Sequence, residues 1–455
     1  MCRFEFLRAL VAVLALTCGI APACCSEPID IGSRLELFVD NHLIAETTGD
    51  VQQQLMKPEA KEVVFVADES WEGNTSGYYT YFQDGDKYCM IYRGWQHDAN
   101  KKAAHKEITC FAESRDGIHW TKPNLGLFEW NGSKQNNIIW LGPGTHNFTA
   151  FRDDNPAAAI ESRYKAFGGG RGGLLPFQSP DCKQWKLMRE KPVITNGAFD
   201  SQNLAFWDAY RGEYRAYWRY FGNGVRSIRT ATSKDFITWE QEADLTYTEG
   251  TPTEHLYTNA IQKYFRAPHL FIGFPTRFEA KSQQVEPILM TSRDGRTFHR
   301  HAEAVIPRTA PKDRNHNRSN YMAWGMFQLP DRPNEISMYA TENYYEPTPG
   351  RVRRFVYRMD GFVAIRAGGN GGQVTTNPLR YQGERLLLNY VVRSGGSLTV
   401  EALDKSDDVI GISKRLNGDA IDAPVIWATD PKLRQGVVKL RFVLKNADLF
   451  SLRFD

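Results

Sequence analysis

The stretch Ser114-Arg115-Asp116-Gly117-Ile118-His119-Trp120 returns three more times in altered form, as Ser179-Pro180-Asp181-Cys182-Lys183-Gln184-Trp185, Ser233-Lys234-Asp235-Phe236-Ile237-Thr238-Trp239 and Ser292-Arg293-Asp294-Gly295-Arg296-Thr297-Phe298. Each copy reads Ser-x-Asp-x-x-x-aromatic, and the aspartates lie 65, 54 and 59 residues apart. Ser and Asp side chains can bond backbone groups inside a tight turn, and Gly, present in two copies, allows positive φ. The aromatic residue is placed to pack back on a neighbouring unit. The four aspartates therefore read as turn formers. One small sheet cannot bury both of its faces, so a repeat of this length, filled with strand-like sequence, implies units packed side by side around a ring.

The residues around each copy supply the rest of a four-stranded unit. Tyr78-Tyr79-Thr80-Tyr81-Phe82 and Tyr88-Cys89-Met90-Ile91-Tyr92-Arg93 flank an Asp84-Gly85 turn, a hairpin signal built from aromatic and branched residues. Similar pairs recur, and the units fall at roughly 61–130, 131–194, 195–250, 251–310 and 311–362. The expected fold is all-β, a five-bladed β-propeller over 30–362, with the strand around Leu35-Glu36-Leu37-Phe38-Val39 completing the last blade. Ala367-Gly368-Gly369-Asn370-Gly371-Gly372 reads as a linker or wide turn. The strands beyond it, such as Arg385-Leu386-Leu387-Leu388-Asn389-Tyr390-Val391-Val392, carry no such turn motif and predict a C-terminal β-sandwich over 363–455.

The first 26 residues read as a signal peptide. Arg3 and Arg8 precede an apolar run from Ala9 to Ile20, and Ala21-Pro22-Ala23 offers a small-residue cleavage site. The run is too short to span a membrane comfortably and no second one exists, so the mature chain is expected to be secreted or periplasmic with no transmembrane helix. A formal charge of +3 on 455 residues is too small to suggest a nucleic-acid partner. Arg351-Val352-Arg353-Arg354 alternates with apolar residues and reads as the solvent face of a strand. Cys89 and Cys110 fall in neighbouring predicted strands, where they could pair or remain buried thiols. No Cys-x-x-Cys or His-Glu-x-x-His occurs, so no cofactor or transition metal is expected. Gly168-Gly169-Gly170-Arg171-Gly172-Gly173 satisfies Gly-x-Gly-x-x-Gly, but Leu174-Leu175-Pro176-Phe177 follows where a dinucleotide site needs a helix, so it reads as a hairpin bend.

The repeated motif resembles the Asp-box of sialidase-type propellers. Five blades followed by a sandwich resemble the five-bladed glycoside hydrolase superfamily of inulinases, invertases and arabinanases. Segments such as Leu37-Phe38-Val39-Asp40-Asn41-His42-Leu43-Ile44, Trp71-Glu72-Gly73-Asn74-Thr75-Ser76-Gly77-Tyr78-Tyr79 and His255-Leu256-Tyr257-Thr258-Asn259 are similar to a group of secreted bacterial propeller proteins assigned to it. The resemblance implies a glycan substrate in a funnel on the propeller axis, worked on by carboxylates from the innermost strands of different blades.

On that footing Glu72, Asp200 and Glu254 are the candidate catalytic residues, with Asp200 as acid and Glu72 as nucleophile or base. The polar residues entering the inner strands are the candidate substrate-binding set: Asn74, His146, Asn147, Asn203, His255, Tyr257, Asn259, His316, Arg318 and Asn320. Stacking faces could come from Trp71, Trp95, Tyr257 and Trp324. The second blade departs from the superfamily pattern: it opens with His146-Asn147 and offers acids only at Asp153 and Asp154. Two other readings follow from that departure. One is a non-catalytic carbohydrate-binding propeller. The other is a metal held by His146, His255 and His316, or Ca²⁺ on oxygen ligands in the funnel. Two convergent carboxyls at roughly 5–10 Å favour hydrolysis, and a single one favours binding.

Overall fold

The computed structural model describes residues 27–308, 320–433 and 436–455. The proposed signal peptide, His316 and Arg318 lie outside the described residues. The regular secondary structure of the described residues is nearly all strand, arranged as five blades and one further sheet of ten strands. Blade one comprises Gly77–Asp84, Lys87–Gly94, Ile108–Ser114 and Trp120–Thr121, with Ile138–Trp140 added against the third of these. Blade two runs from Gly144–Arg152 through Tyr164–Gly170 and Gly173–Ser179 to Lys186–Leu187. The glycine-rich segment is the hairpin bend between its second and third strands. Blade three comprises Leu204–Asp208, Glu213–Gly222, Val225–Ser233 and Trp239–Asp244. Blade four is built on Gln262–Tyr264, Ala267–Gly273, Val285–Ser292 and Thr297–Ala304.

Blade five pairs Tyr321–Met322, Glu335–Glu342 and Arg351–Arg358, and Glu59–Val66 closes the ring antiparallel to the last of these. The expected closing strand is elsewhere, because Glu36–Leu37 pairs with Gly436–Phe454 in the ten-stranded sheet. The physical reason is burial. Leu37, Phe38 and Val39 are fully enclosed, whereas an outermost strand must keep a wet edge, and Glu59–Val66 does so with exposed Glu59 and Glu62. Ile29–Gly32 and Ile44–Leu55 also belong to the ten-stranded sheet rather than to a blade.

That sheet rests on three long strands, Val363–Thr376, Leu386–Leu403 and Gly436–Phe454. All three lose register at one level, between Ala367 and Gly372, between Val392 and Ser397, and opposite them between Leu444 and Ala447. The glycine run is therefore a bulge inside a strand and not a linker, and it lets the sheet curl around a core that includes Phe38, Val374, Leu388, Leu398 and Phe442. Buried Asp360 ties this sheet to the propeller, accepting from Tyr264 at 2.5 Å, Arg266 at 2.7 Å and Ser451 at 3.0 Å.

The four repeated turns share one geometry. In each, the Ser hydroxyl donates to one Asp oxygen, and that oxygen accepts backbone N–H groups two and three residues on, at 2.7–3.0 Å. The residue after each Asp has positive φ: Gly117 at 68°, Cys182 at 65°, Phe236 at 68° and Gly295 at 77°. A Cβ on Gly117 would meet Leu329 at 2.7 Å, and one on Gly295 would meet the Tyr217 hydroxyl at 2.9 Å, so the neighbouring blade already fills those spaces. In the other two copies the residue supplies the filling itself, and Phe236 stacks on Phe167 of blade two at 4.8 Å. This burial offsets the roughly 1 kcal/mol strain of a left-handed non-Gly residue. Trp239 packs on Phe167, Phe298 on Tyr217 and Trp120 on Tyr339, so three of the four motif aromatics reach the preceding blade.

One smaller expectation is corrected, and of the two alternatives for the cysteines the structure shows buried thiols. Arg351 and Arg353 flank buried Glu342, and Arg354 is itself buried against Glu62, so the basic run is an interior ion-pair ladder rather than a solvent face. Cys89, Cys110 and Cys182 are all buried and free.

Candidate functional site

The residues that begin the inner strands converge on one face of the ring. Tyr78, Arg93, Gln202, Tyr257, Tyr321 and Tyr344 line a slot of about 30 Å³, room for a single water-sized group. Beside it lies a wider cleft of about 910 Å³, lined by Trp95, Lys106, Glu107, His146 and Arg171. Arg93 joins the two. Its guanidinium, almost fully buried, stacks on Tyr78 and Trp95 at 4.8 Å each and donates to the Tyr344 hydroxyl at 2.8 Å. It also stands 3.6 Å from Glu107 and 3.4 Å from the His146 carbonyl.

His146 sits at the junction with a carboxylate on each ring nitrogen. Nδ1 is 2.6 Å from Glu107 and Nε2 is 2.7 Å from Asp200. Burial disfavours the imidazolium, but hydrogen bonds to Asp200 and Glu107 outweigh it and raise the His146 pKa above its usual 6.5. Burial likewise opposes charge on Asp200, yet the hydrogen bond and charge of His146, with Arg219 and Arg93, hold it below the ordinary aspartate value of 3.8. Each partner thus favours the charged form of the other. The Asp200 side chain is 69% exposed, so solvent and ligand can reach it.

The other two candidate carboxylates are not at this junction. Glu72 is buried, accepting from the Tyr92 hydroxyl, from Lys122 at 2.7 Å and from the Glu69 N–H at 3.1 Å. Burial raises its pKa despite Lys122. Glu254 lies between Arg277 at 3.2 Å and Arg300 at 3.1 Å. Neither lines the slot or the cleft. Sequence position at the head of an inner strand does not fix where a side chain ends, because the entering loops turn before the strand begins.

Of the polar set, Tyr257 lines the slot and His146 the cleft, whereas the asparagines lace backbone together. Asn74 donates to the carbonyls of His97 and Glu346. Asn147 donates to Phe199 and Ser201 and accepts from the Gly169 N–H, binding blade two to the approach of blade three. Asn203 bonds the same two carbonyls, Asn259 donates to the Gln202 and Tyr217 carbonyls at 3.5 Å and accepts the Ile261 N–H at 3.3 Å, and Asn320 is buried with φ 72°. His255 accepts the Arg226 N–H at 3.1 Å, apart from His146. Among the described residues no group of three or more His, Cys, Asp or Glu could hold a metal. Trp95 borders the cleft, but Trp71 donates to Asn137 and Trp324 to the Ile261 carbonyl, both within the packed body.

Sequence reasoning missed Arg93, Glu107, Arg219, Tyr321 and Tyr344. Arg93 had a signal, a lone cation ending the otherwise apolar strand Tyr88-Cys89-Met90-Ile91-Tyr92. Glu107 lies in the polar run Lys106-Glu107 and had none.

No protein-family profile matches the chain, and no curated protein does. Solved structures do. A glycoside hydrolase family 43 arabinoxylan arabinofuranohydrolase from Bacillus subtilis aligns over 87% of this chain and 98% of its own at 13% identity, TM-score 0.44. An endo-arabinase from Bacteroides thetaiotaomicron aligns over 66% and 99% at 10% identity, TM-score 0.43. A β-1,2-mannobiose phosphorylase from Listeria innocua aligns over 67% and 96% at 10% identity, TM-score 0.47. At such identities the likeness concerns fold, and the chemistry must be argued from this chain's own residues. Among the described residues no helix is long and apolar enough to cross a membrane.

Proposed function

We propose that this is a secreted carbohydrate-active protein that seats a glycan in the cleft, with one hydroxyl-sized group reaching the slot, and hydrolyses a glycosidic bond there. The observation that carries the reading is the Glu107–His146–Asp200 chain at the mouth of a tyrosine-lined slot. Sugars offer paired hydroxyls and apolar C–H faces. Ionisable groups beside Tyr78, Trp95 and Tyr257 answer both needs.

The roles differ from those expected from strand position. Asp200, held ionised, suits a base or nucleophile and not the standing acid. The proton donor of the pair is His146, whose Nε2–H faces Asp200. A substrate oxygen that takes over this N–H can receive the proton as the bond to the sugar breaks, while Asp200 acts on water or on the anomeric carbon. Glu107 keeps the imidazole charged and oriented. Glu72 and Glu254 then serve in structural ion pairs. The four rim turns act as Asp-boxes, and the curled sheet serves as a stabilising β-sandwich.

A second reading, glycan binding without turnover, is favoured by one observation: of the three candidate carboxylates only Asp200 stands at the mouth. Both are tested by screening the purified mature protein against a broad glycan panel for product release and for binding. Release that Asp200→Asn abolishes while affinity persists supports hydrolysis. Binding without release selects the second reading, and neither release nor binding sinks both.

A further inference from the structure

The slot and cleft carry a charge imbalance that a neutral sugar does not use. Glu107 is the one acid among the described residues lining them, and Asp200 joins it through His146. Against these two stand His146, Arg93, Lys106 and Arg171 in the lining, with Arg219 and Arg226 over Tyr257. The whole chain carries only +3, so the imbalance is local.

The partners of these cations separate them into two groups. Arg93 and His146 are engaged by Glu107 and Asp200, and Arg219 stands 3.7 Å from Asp200. Lys106, Arg171 and Arg226 have no carboxylate partner among the described residues. Arg226 is half-buried, placed 5.2 Å from the Tyr257 ring and 4.6 Å from Phe278, and its Nε is buried without a hydrogen-bond acceptor. One terminal nitrogen makes a long 3.5 Å contact with His255 Nδ1, which already accepts the Arg226 backbone N–H, and the other end of a guanidinium held flat on aromatic rings can meet a planar or tetrahedral oxyanion. Lys106 adjoins Glu107 on the Nδ1 side of His146, Arg226 shares Tyr257 with Arg219, which faces Asp200 on the Nε2 side, and Arg171 borders the same cleft as Lys106.

Building on the glycan reading above, we infer that the site takes an acidic glycan, one bearing carboxylate or sulfate groups. The Arg226 guanidinium receives one anionic group over Tyr257, and Lys106 and Arg171 receive the next along the chain in the cleft. The cations lie on both sides of the His146–Asp200 pair, so the reacting bond falls between two anionic residues of the ligand.

Affinity measurements with the purified full chain test this. The probes are polygalacturonate and alginate oligosaccharides with their methyl-esterified forms, and a sulfated galactan oligosaccharide with its desulfated form. The acidic member of at least one pair should bind about tenfold or more tighter than its neutral partner, and raising salt from 50 to 500 mM should erode that advantage, as expected for exposed charges. Whichever pair shows the larger gap separates the uronate source from the sulfate source. Arg226→Gln should bring the acidic probe down towards its neutral partner, whereas Arg226→Lys should keep part of the gap; melting curves confirm that both fold. Neutral probes that bind as tightly as acidic ones overturn the inference and leave the glycan reading standing. An oligonucleotide of equal charge that binds equally well also overturns it. Failure to bind any glycan, acidic or neutral, removes the glycan reading itself.

Discussion

The outer rim and the mouth of the slot both hold aspartates with lowered pKa, and the contrast between them is instructive. Asp181, Asp235 and Asp294 are lowered against burial mainly by backbone N–H groups and a serine hydroxyl, donors that do not titrate, whereas Asp116 is lowered first by His119 and then by the same kind of backbone and serine donors. Asp200 is lowered against burial chiefly by His146, a partner that can give up its proton. A shifted carboxylate therefore does not mark a site on its own. A shifted carboxylate bonded to a second titratable group, with an open face, can do chemistry. Three rim turns have the first kind of partner; Asp116 also has His119, and the mouth differs from that exposed pair in the second carboxylate on His146 and in the Tyr78 and Trp95 rings packed against it.

Substitutions at the mouth should produce the largest effects. Asp200→Asn and His146→Gln keep the shape of each side chain and remove its ionisable function, so turnover on any glycan the parent cleaves should fall about 10²–10⁴-fold. Melting temperatures should move little, because Asp200 is largely exposed. Steady-state kinetics beside melting curves check this. Full turnover in both variants would end the distinction between rim and mouth.

Glu72→Gln comes next and concerns a buried group that looks catalytic by its raised pKa. Its loss leaves Lys122 with Asp68 alone at 2.8 Å, and stability should fall by on the order of 1–3 kcal/mol. Turnover per folded molecule should stay at the parent level in denaturation-corrected assays. A selective loss of turnover would move the active carboxylate away from the mouth.

The sequence disclosed the rim far better than the mouth, and the reason is physical. A rim turn is local: Ser, Asp and the positive-φ residue lie within four positions, so the hydrogen-bond pattern is written in consecutive residues and repeats four times. The mouth is assembled from residues as far apart as Tyr78 and Tyr344, and its loops decide which side chains arrive. His146, Asp200 and Tyr257 could be named because they enter inner strands, yet the same rule also named Glu72 and Glu254, whose loops carry them to Lys122 and Arg277 instead. Blade closure failed for a related reason. Leu37 and Glu59–Val66 are both strand-forming, and only burial by the ten-stranded sheet tells them apart.

Asp235→Ala probes the rim directly. Two backbone N–H groups and the Ser233 and Thr238 hydroxyls lose their acceptor, so stability should drop by about 1–2 kcal/mol. Activity or binding per folded molecule should not change. Chemical denaturation with a parallel glycan assay reads both, and a loss of function at unchanged stability would place a site on the rim.

The smallest effects are in the pH dependence of stability, where the rim aspartates and His146 have opposite signs. Each rim aspartate has a folded pKa below 3.8, so its contribution is present above that value and is lost as pH falls through the lowered folded pKa. His146 has a folded pKa above 6.5, so its contribution is complete below 6.5 and is lost as pH rises through the raised folded pKa. Melting temperature against pH should therefore show an acid limb that Asp235→Ala reduces while leaving the alkaline limb in place, and an alkaline limb that His146→Gln reduces together with the part of the acid limb that comes from Asp200. His119 also has a raised pKa through Asp116, so the parent curve alone cannot isolate His146, but the difference between parent and variant can. Turnover should follow the alkaline limb: it needs the imidazolium and should hold steady up to the raised His146 pKa, then fall about tenfold per pH unit beyond it. An alkaline limb that His146→Gln leaves untouched would mean that the Glu107–His146–Asp200 chain is not charged as its geometry requires, and the mouth would then differ from the rim in exposure alone.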